Sequence, residues 1–458
     1  MPSLSQMEER VSYVMEERAR ILARETGCIQ RERKFDGADL LQTLVFGWLA
    51  HPDSSLEQLA STAATREVVV SDTAIHNRFT EPCAQFLHAV LQELTGIVVQ
   101  ADQDVPVPLL RRFSNVIIED SSSIALPDEL SEQWQGCGGH CDQGQAAVKI
   151  HVRTEMKRGQ IWGPSLTDGR ASDRSSPFNE VDLPASSLYV ADLGYFNLDR
   201  IVARRAAKSY TLTRPQSSTA FFTPSGKRLP LKTVLPPRVG QIKEMPVLVG
   251  VKQRHPMRLL MMRVPEEIAE QRRERLRREA SRRQEQVSPQ ALELAGWLLL
   301  LTDAPAKKLS IEEAIVLQRE RWQIELLYKL WKQYGQIDEW RTAHSWRILC
   351  ELYAKLIGIL LQHWLIVLLA WQDEQRSLVK LAQVIRDGSL SLMEALAGYR
   401  SLHAAILAIA RRMRSGCRMN TRKKQPNSAQ LLRDGLTTWL LSPSVGAYVL
   451  FFFPPLLS

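Results

Sequence analysis

The sequence predicts an α/β protein in which helices precede and follow a strand-rich core. Three observations lead to this prediction. Apolar residues recur at helical spacing through residues 1–105, short β-branched runs begin after residue 106, and long apolar helical patterns return after Lys332. The 458 residues, 45% of them apolar and 24% charged, are sufficient for several globular domains.

The segment 1–105 is predicted to be a helical DNA-binding domain. Ser54 or Ser55 can cap one short helix and Ser71 a second, because a side-chain hydroxyl satisfies free backbone amides at a helix start. The second helix is expected to carry polar side chains outward: His76, Asn77 and Arg78. Two short capped helices resemble a helix-turn-helix, whose second helix enters a groove of DNA. A plain helical bundle is the alternative.

Strand patterns predict a core in two parts, 106–206 and 291–375. The first part has β-branched or alternating stretches at 115–127, 146–156 and 160–169, then a short strand at 188–191 followed by a turn and a helix. This order is that of a ribonuclease-H-like core. The second part contains a buried strand at 296–303 that leads to another helix.

A β-rich insertion is predicted to interrupt this core at 207–290. Its strands are expected at 208–215, 229–235 and 246–264. A helix at 266–286 follows and carries seven arginines, with two pairs at ion-pair spacing, Glu274–Arg278 and Glu279–Arg283. This basic helix either lines DNA or is a solvated charged face. A helical and basic region is expected at 376–458.

Two aspartates stand where an acidic residue has no packing role. Asp120 and Asp192 each lie at the carboxyl end of an apolar strand, and a carboxylate buried there without a partner would cost stability. Glu119, the preceding residue, is the alternative to Asp120 as the first of these acidic residues. If Val116 and Ile118 face the core of an alternating strand, Asp120 points away from the face of Glu119, which favours Asp120.

A third carboxylate lies on a helix between two cations. Arg321, Glu325, Tyr328 and Lys332 fall at positions i, i+4, i+7 and i+11, so they project from one helical face. A surface ion pair, worth only about 0.3–0.5 kcal/mol, would explain the same spacing. Cations that reach phosphates beside a metal-binding carboxylate are also what phosphodiester chemistry requires.

The residues Arg321, Glu325 and Lys332 resemble the Tyr-Arg-Glu-Lys signature of DDE transposases of the bacterial IS-four group. Gln318 stands where that signature begins with Tyr. The run A-D-L-G-Y-F around Asp192 is similar to the sequence that follows the second aspartate of the family.

The resemblance implies a transposase that cuts at the terminal inverted repeats of its element and joins the ends to target DNA. Asp120, Asp192 and Glu325 would form its catalytic and metal-binding triad, with two Mg²⁺ or Mn²⁺ ions as cofactors. Double-stranded DNA would be its partner, and a homodimer would assemble on two DNA ends. The residues implied in DNA binding are Arg214, Trp297, Gln318, Arg321, Trp322 and Lys332. Two alternatives stay open: a catalytically inactive repressor derived from a transposase, and a ribonuclease-H-like nuclease without strand transfer.

Composition is compatible with this class of protein and disfavours others. The net charge of +9 favours a polyanionic partner, and six scattered cysteines are typical of a cytosolic protein. The apolar stretches 356–371 and 448–457 are shorter than the roughly 20 residues that span a bilayer. These features predict a cytoplasmic protein without a membrane partner, and the resemblance implies a bacterial one that associates with the nucleoid through DNA binding.

Two other kinds of site are disfavoured by the sequence. Cys137, His140 and Cys141 supply three zinc ligands, but a tetrahedral site needs a fourth. Glycine-rich signatures of nucleotide binding are absent from the sequence, so no nucleotide partner is expected.

Overall fold

The computed structural model describes residues 4–31, 34–137, 145–282, 284–320, 322–373 and 375–419. Within these ranges, the side chains of some residues also lie outside the description: Glu180, Arg282, Glu320, Trp322, Gln323, Glu325 and Leu326. The chain forms two compact units. The first takes in the described residues of Met1–Pro106, Ser121–Ser172 and Glu325–Met419, and the second those of Val107–Asp120 and Asp173–Ile324.

The amino-terminal part of the first unit is helical, as predicted. Its helices are α1 (Leu4–Tyr13), which continues through a π-helical turn at Val14–Arg18, α2 (Ala19–Glu25), α3 (Gly37–Ala50), α4 (Leu56–Ala64), α5 (Asp72–His76) and α6 (Glu81–Thr95). Ser55 caps α4 and Ser71 caps α5, each through its hydroxyl. Because α5 ends at His76, Asn77 and Arg78 lie beyond the helix that was expected to carry them. Contact of this pair of helices with DNA stays a prediction.

The remaining helices of the first unit surround one long buried helix. They are α11 (Trp322–Gln333), α12 (Ser345–Ala370), α13 (Leu378–Asp387), α14 (Ser389–Leu396) and α15 (Leu402–Gly416). In the described part of the chain, α12 alone is long and apolar enough to cross a membrane, and 89% of its most apolar window is buried inside the protein. Burial inside a folded core is what a soluble core helix shows. The 26-residue helix is longer than the apolar stretch 356–371, and two of the buried polar residues in its added turns form an ion pair, with Lys355 Nζ 2.7 Å from the carboxylate of Glu351.

The strands lie in both units. They are β1 (Val116–Leu126), β2 (Ala146–Glu155), β3 (Ile161–Asp168), β4 (Leu188–Ala191), β5 (Tyr210–Thr213), β6 (Phe221–Phe222), β7 (Ile242–Val249), β8 (His255–Arg263) and β9 (Trp297–Thr302). In the first unit the order is β3-β2-β1, where β1 contributes the residues after Asp120. In the second unit the order is β1-β4-β5-β9-β8-β7-β6, with β1–β4 and β4–β5 parallel and the later pairs antiparallel. The protein is therefore a mixed α/β fold with a large sheet.

Two strand predictions in the insertion are wrong. The stretch 229–235 forms a 3₁₀ turn at Leu231–Thr233, because Pro230 and the prolines that follow it remove donors needed by a sheet ladder. The stretch 246–264 is not one strand. It turns back at Gly250, which has a φ of 89°, and gives most of the hairpin β7–β8.

The basic helix α8 (Glu266–Arg282) neutralises part of its own charge. Its described ion pairs are Arg273–Glu266 at 2.6 Å, Arg273–Glu270 at 2.9 Å, Arg275–Glu279 at 2.6 Å and Arg277–Glu270 at 2.9 Å. These pairs differ from the two expected ones, of which Glu279–Arg283 includes a residue outside the described range. The second unit is completed by α7 (Leu198–Ala206), α9 (Pro289–Leu294) and α10 (Ile311–Glu320).

Candidate active site

Asp120 and Asp192 each follow the last paired residue of a parallel ladder. In the β1–β4 pairing Ile118 is opposite Val190 and Glu119 is opposite Ala191, which is the last pair. Asp192 directly follows β4, whereas β1 continues to Leu126, so the expectation that Asp120 ends its strand is wrong. Directly paired residues project from the same face of a sheet, and neighbouring strands are only about 4.8 Å apart. Both aspartates are partly exposed. Both residues therefore lie at the same end of the β1–β4 ladder and are accessible to solvent.

Glu119 has a different environment from that of Asp120. It is fully buried, accepts a hydrogen bond from the Ser176 hydroxyl, and accepts a second from the Tyr189 hydroxyl at 3.1 Å. The sequence argument for Asp120 assumed that only one face of β1 points into the core. The strand is instead buried on both faces from Val116 to Glu119, so that argument does not distinguish Asp120 from Glu119. The contacts of Glu119 nevertheless favour Asp120 as the exposed carboxylate.

The turn after Asp192 lies close to a second aspartate. Asp192 is extended (φ −79°, ψ 172°) and begins a 3₁₀ turn at Leu193–Tyr195. A Cβ atom added to Gly194 would lie 2.9 Å from Oδ2 of Asp173, closer than a real side chain tolerates. A side chain at position 194 would thus have to displace the Asp173 carboxylate, and Asp173 is an acidic neighbour of this turn that sequence reasoning missed.

Trp297 and Arg214 belong to a cationic region of the second unit. The Trp297 indole donates to the carbonyl of Pro236 at 2.9 Å, and the Arg263 guanidinium lies 4.2 Å from the ring centroid. Arg272 donates to the Trp297 carbonyl at 3.1 Å. Burial, and secondarily repulsion by Arg214, lowers the pKa of Arg272 to about 9. Trp297 is half-buried and lies beside these cations, so part of its side chain is exposed and does not serve core packing.

Gln318 lies on α10 with a buried side-chain oxygen. Within the described residues, Oε1 of Gln318 has no hydrogen-bond partner. A buried unsatisfied amide oxygen costs about 1–3 kcal/mol. The tyrosine of the family signature would place a different polar group at this point.

The helix α11 is tied to the strands of the first unit by two of the predicted residues. The Tyr328 hydroxyl donates to the Ile150 carbonyl at 3.0 Å, and Lys332 Nζ donates to the Ser123 carbonyl at 3.2 Å. Glu325 lies on this helix, but its side chain and that of Trp322 lie outside the description, as does all of Arg321. The structure therefore leaves these three predicted contacts untested.

Comparison with known families decides the identity of the chain. Residues 111–361, more than half of the sequence, match the family described as the transposase DDE domain. The chain belongs to this family. The predicted resemblance is thereby confirmed, and the protein is a DDE transposase of the IS-four group and an enzyme of that class.

Several transposases are similar over most of their length. The transposase of insertion element IS231F from Bacillus thuringiensis subsp. israelensis is 26% identical over 377 residues, which cover 78% of each chain. That of IS421 from Escherichia coli is 25% identical over 349 residues, covering 74% of this chain and 88% of the relative. Among solved structures, the piggyBac transposase synaptic complex with hairpin DNA is similar with a TM-score of 0.41 and 11% identity, covering 92% of this chain and 81% of that one.

The donor atoms of the transposase fit a hard divalent cation. Asp120 and Asp192 offer carboxylate oxygens, the ligands that Mg²⁺ and Mn²⁺ prefer. Among the described side chains, which do not include that of Glu325, no three His, Cys, Asp or Glu groups are placed to hold one metal ion. Of the candidate zinc ligands, Cys137 is exposed, while His140 and Cys141 lie outside the described residues.

Proposed function

We propose that the transposase cleaves phosphodiester bonds at the terminal inverted repeats of an insertion sequence and joins the ends to target DNA. The observation that carries the proposal is the parallel pairing of β1 with β4, which ends at Glu119 and Ala191 directly before Asp120 and Asp192, in a chain of the DDE family. Glu325 is the third carboxylate of the proposed triad. The strand orders β3-β2-β1 and β1-β4-β5 support a ribonuclease-H-like core, with 207–290 as the insertion.

The two aspartates would hold the divalent metal ions, together with Glu325. A pair of such ions, when bound, activates the attacking oxygen and stabilises the leaving oxygen at phosphorus. Hydrolysis breaks the P–O3′ bond and leaves a 3′-hydroxyl on the element. That hydroxyl then replaces the 3′ oxygen of a target phosphodiester, so each bond that forms is matched by one that breaks.

The DNA contacts proposed are Arg214, Trp297, Gln318, Arg321, Trp322 and Lys332. The net charge of +9 supports a polyanionic substrate, and the cations beside Trp297 support DNA contact in the second unit. The helices of 1–105 would bind the terminal repeats, and the active species would be a homodimer on two ends. The reaction would take place on DNA in the bacterial cytoplasm.

Cleavage of a plasmid that carries the two element ends tests this function. We expect Asp120→Asn, Asp192→Asn and Glu325→Gln each to abolish cleavage while DNA binding in EDTA is retained. Asp199→Asn is the matched control, because Asp199 is an exposed aspartate of α7 outside the triad. Binding without cleavage by the wild-type protein would support the repressor alternative. Cleavage without joining would support the nuclease alternative.

A further inference from the structure

A buried hydrogen-bond cluster lies on the reverse side of β1, directly before Asp120. Glu119 is 0% exposed and accepts from the hydroxyls of Ser176 and Tyr189. The Ser176 oxygen also accepts from the Phe178 amide at 3.2 Å, which caps the start of the 3₁₀ turn at Pro177–Glu180. The Arg204 guanidinium lies 3.7 Å from the centre of the Tyr189 ring.

This cluster joins three elements of the second unit at one carboxylate and reaches a fourth through the Tyr189 ring. Glu119 comes from β1, Tyr189 from β4, Arg204 from α7 and Ser176 from the segment before β4. Hydrogen bonds to a charged group contribute about 1.5–3 kcal/mol each, more than bonds between neutral groups. A slip of β1 against β4 would break the contact with Tyr189. The Glu119 carboxylate therefore secures the register of the two strands that carry the aspartates.

The alternation of a strand gives this anchor a direct effect on the candidate site. Successive side chains point to opposite faces, so Glu119 is fixed on one face and Asp120 on the other, one residue later. The register puts Glu119 opposite Ala191, and Asp120 and Asp192 are the residues that follow this last pair. Holding Glu119 in place therefore fixes where the Asp120 carboxylate stands relative to that of Asp192.

We propose that Glu119, held by Ser176 and Tyr189, is a positioning residue that sets the geometry of the Asp120–Asp192 pair for divalent metal binding. The proposal rests on the proposed function, because it takes the two aspartates as metal ligands. Glu119 acts through the backbone of β1 and does not itself touch the metal or the DNA. Changes to groups that orient metal ligands commonly reduce metal affinity on the order of 10- to 100-fold.

The test is Mn²⁺ binding by full-length protein, measured by calorimetry without DNA, together with the Mg²⁺ concentration that gives half-maximal cleavage. We expect Glu119→Gln to weaken Mn²⁺ binding on the order of 10-fold and to raise the half-maximal Mg²⁺ concentration similarly. Cleavage should recover at saturating Mg²⁺. Tyr189→Phe keeps the carboxylate and removes one hydroxyl, so we expect a smaller shift in the same direction. This second variant also tests the proposal if Glu119→Gln fails to fold.

Asp303→Asn is the matched control. Its side chain is 2% exposed and accepts from the Thr211 amide at 2.7 Å, so it is another nearly buried carboxylate of the same sheet. Thr211 is opposite Tyr189, three residues before Asp192, about 10 Å along the strand. We expect lower stability in this variant but unchanged Mn²⁺ affinity.

Three results would overturn the inference, and they have different meanings. Wild-type Mn²⁺ affinity in both Glu119→Gln and Tyr189→Phe would remove the positioning role and leave the proposed function intact. Complete loss of Mn²⁺ binding in Glu119→Gln, without rescue at high Mg²⁺, would make Glu119 a ligand in its own right. A wild-type protein that neither binds Mn²⁺ nor cleaves element ends would reject the proposed function and this inference together.

Discussion

At the scale of single residues, the neighbours of Lys332 decide how much of its charge is available to DNA. Its ammonium group donates to the Ser123 carbonyl at 3.2 Å and lies 3.7 Å from Asp338. Both members of the ion pair are about one-third exposed, and such a pair contributes only about 0–1 kcal/mol. A DNA phosphate can therefore compete for this cation at little cost.

We expect Lys332→Ala to lower the salt dependence of binding to terminal DNA. Each lost phosphate contact reduces the slope of log affinity against log salt by roughly 1. Fluorescence anisotropy over a range of NaCl concentrations measures this slope. Lys329→Ala is the control, because Lys329 is an exposed lysine on the same helix. Equal slopes for wild type and Lys332→Ala would show that Lys332 does not contact a DNA phosphate and has only a structural role.

Sequence patterns could predict the two aspartates but not the cluster behind them. Asp120 and Asp192 each follow an apolar run of the sequence, so their positions are a local signal, although β1 continues beyond Asp120 to Leu126. The choice between Glu119 and Asp120 depends on Ser176 and Tyr189, which are 57 and 70 residues away from Glu119. Nothing in a single sequence records contacts at that separation.

At the scale of elements, α12 is held in the first unit by polar contacts as well as by its apolar surface. His363, fully buried on this helix, forms a 2.8 Å hydrogen bond with the Gly159 carbonyl. Burial lowers the pKa of His363 to about 4, since a charged imidazole would lose its hydration there. The helix is therefore anchored by a neutral histidine.

This histidine should make stability depend on pH below neutrality. Its folded pKa of about 4 lies below the unfolded value of about 6.5, so stability is intact above 6.5 and is lost as pH falls toward 4. At pH 5 we expect a loss of about 2 kcal/mol relative to pH 7 from this group. Urea unfolding at both pH values measures the loss. His363→Gln, which cannot titrate, should show a loss about 2 kcal/mol smaller, and an equal loss in both proteins would contradict the assignment.

Elements with a strong local pattern could be predicted, and those set by context could not. The strands β1, β2, β3 and β4 were expected within a residue or two of their bounds, because each shows a β-branched or alternating run between turn residues. The stretch 229–235 has the apolar content of a strand, but Leu231 packs into the core of the second unit from a 3₁₀ turn. Tertiary packing there overrides local preference.

At the scale of the whole molecule, the compact units do not follow the order of the sequence. Five consecutive segments were predicted from changes in local pattern, and they stay a prediction. The first compact unit instead collects three separate stretches, including α3 and α12. A Cβ atom on Gly358 of α12 would lie 3.4 Å from the Cβ atom of Leu49 on α3, so these helices are in direct contact. Such long-range packing has no local sequence signal, and it makes removal of residues 1–105 a poor experiment.

The last prediction is that the active species is a dimer in which each protomer cuts the DNA end bound by the other. Cutting one end alone would leave a broken chromosome and no excised element, so coupling two ends requires two protomers. To test this, we would mix Glu325→Gln protein with His76→Glu/Asn77→Glu protein, whose exposed substitutions should weaken DNA binding without disturbing the packing of α3 on α12. Each protein should be inactive alone. Glu325→Gln lacks the third carboxylate of the proposed triad, and the acidic side chains of His76→Glu/Asn77→Glu repel DNA phosphates. We expect the mixture to recover cleavage of one end per pair of protomers, measured on labelled terminal duplexes. No recovery at any mixing ratio, with both proteins folded, would rule out cleavage in trans.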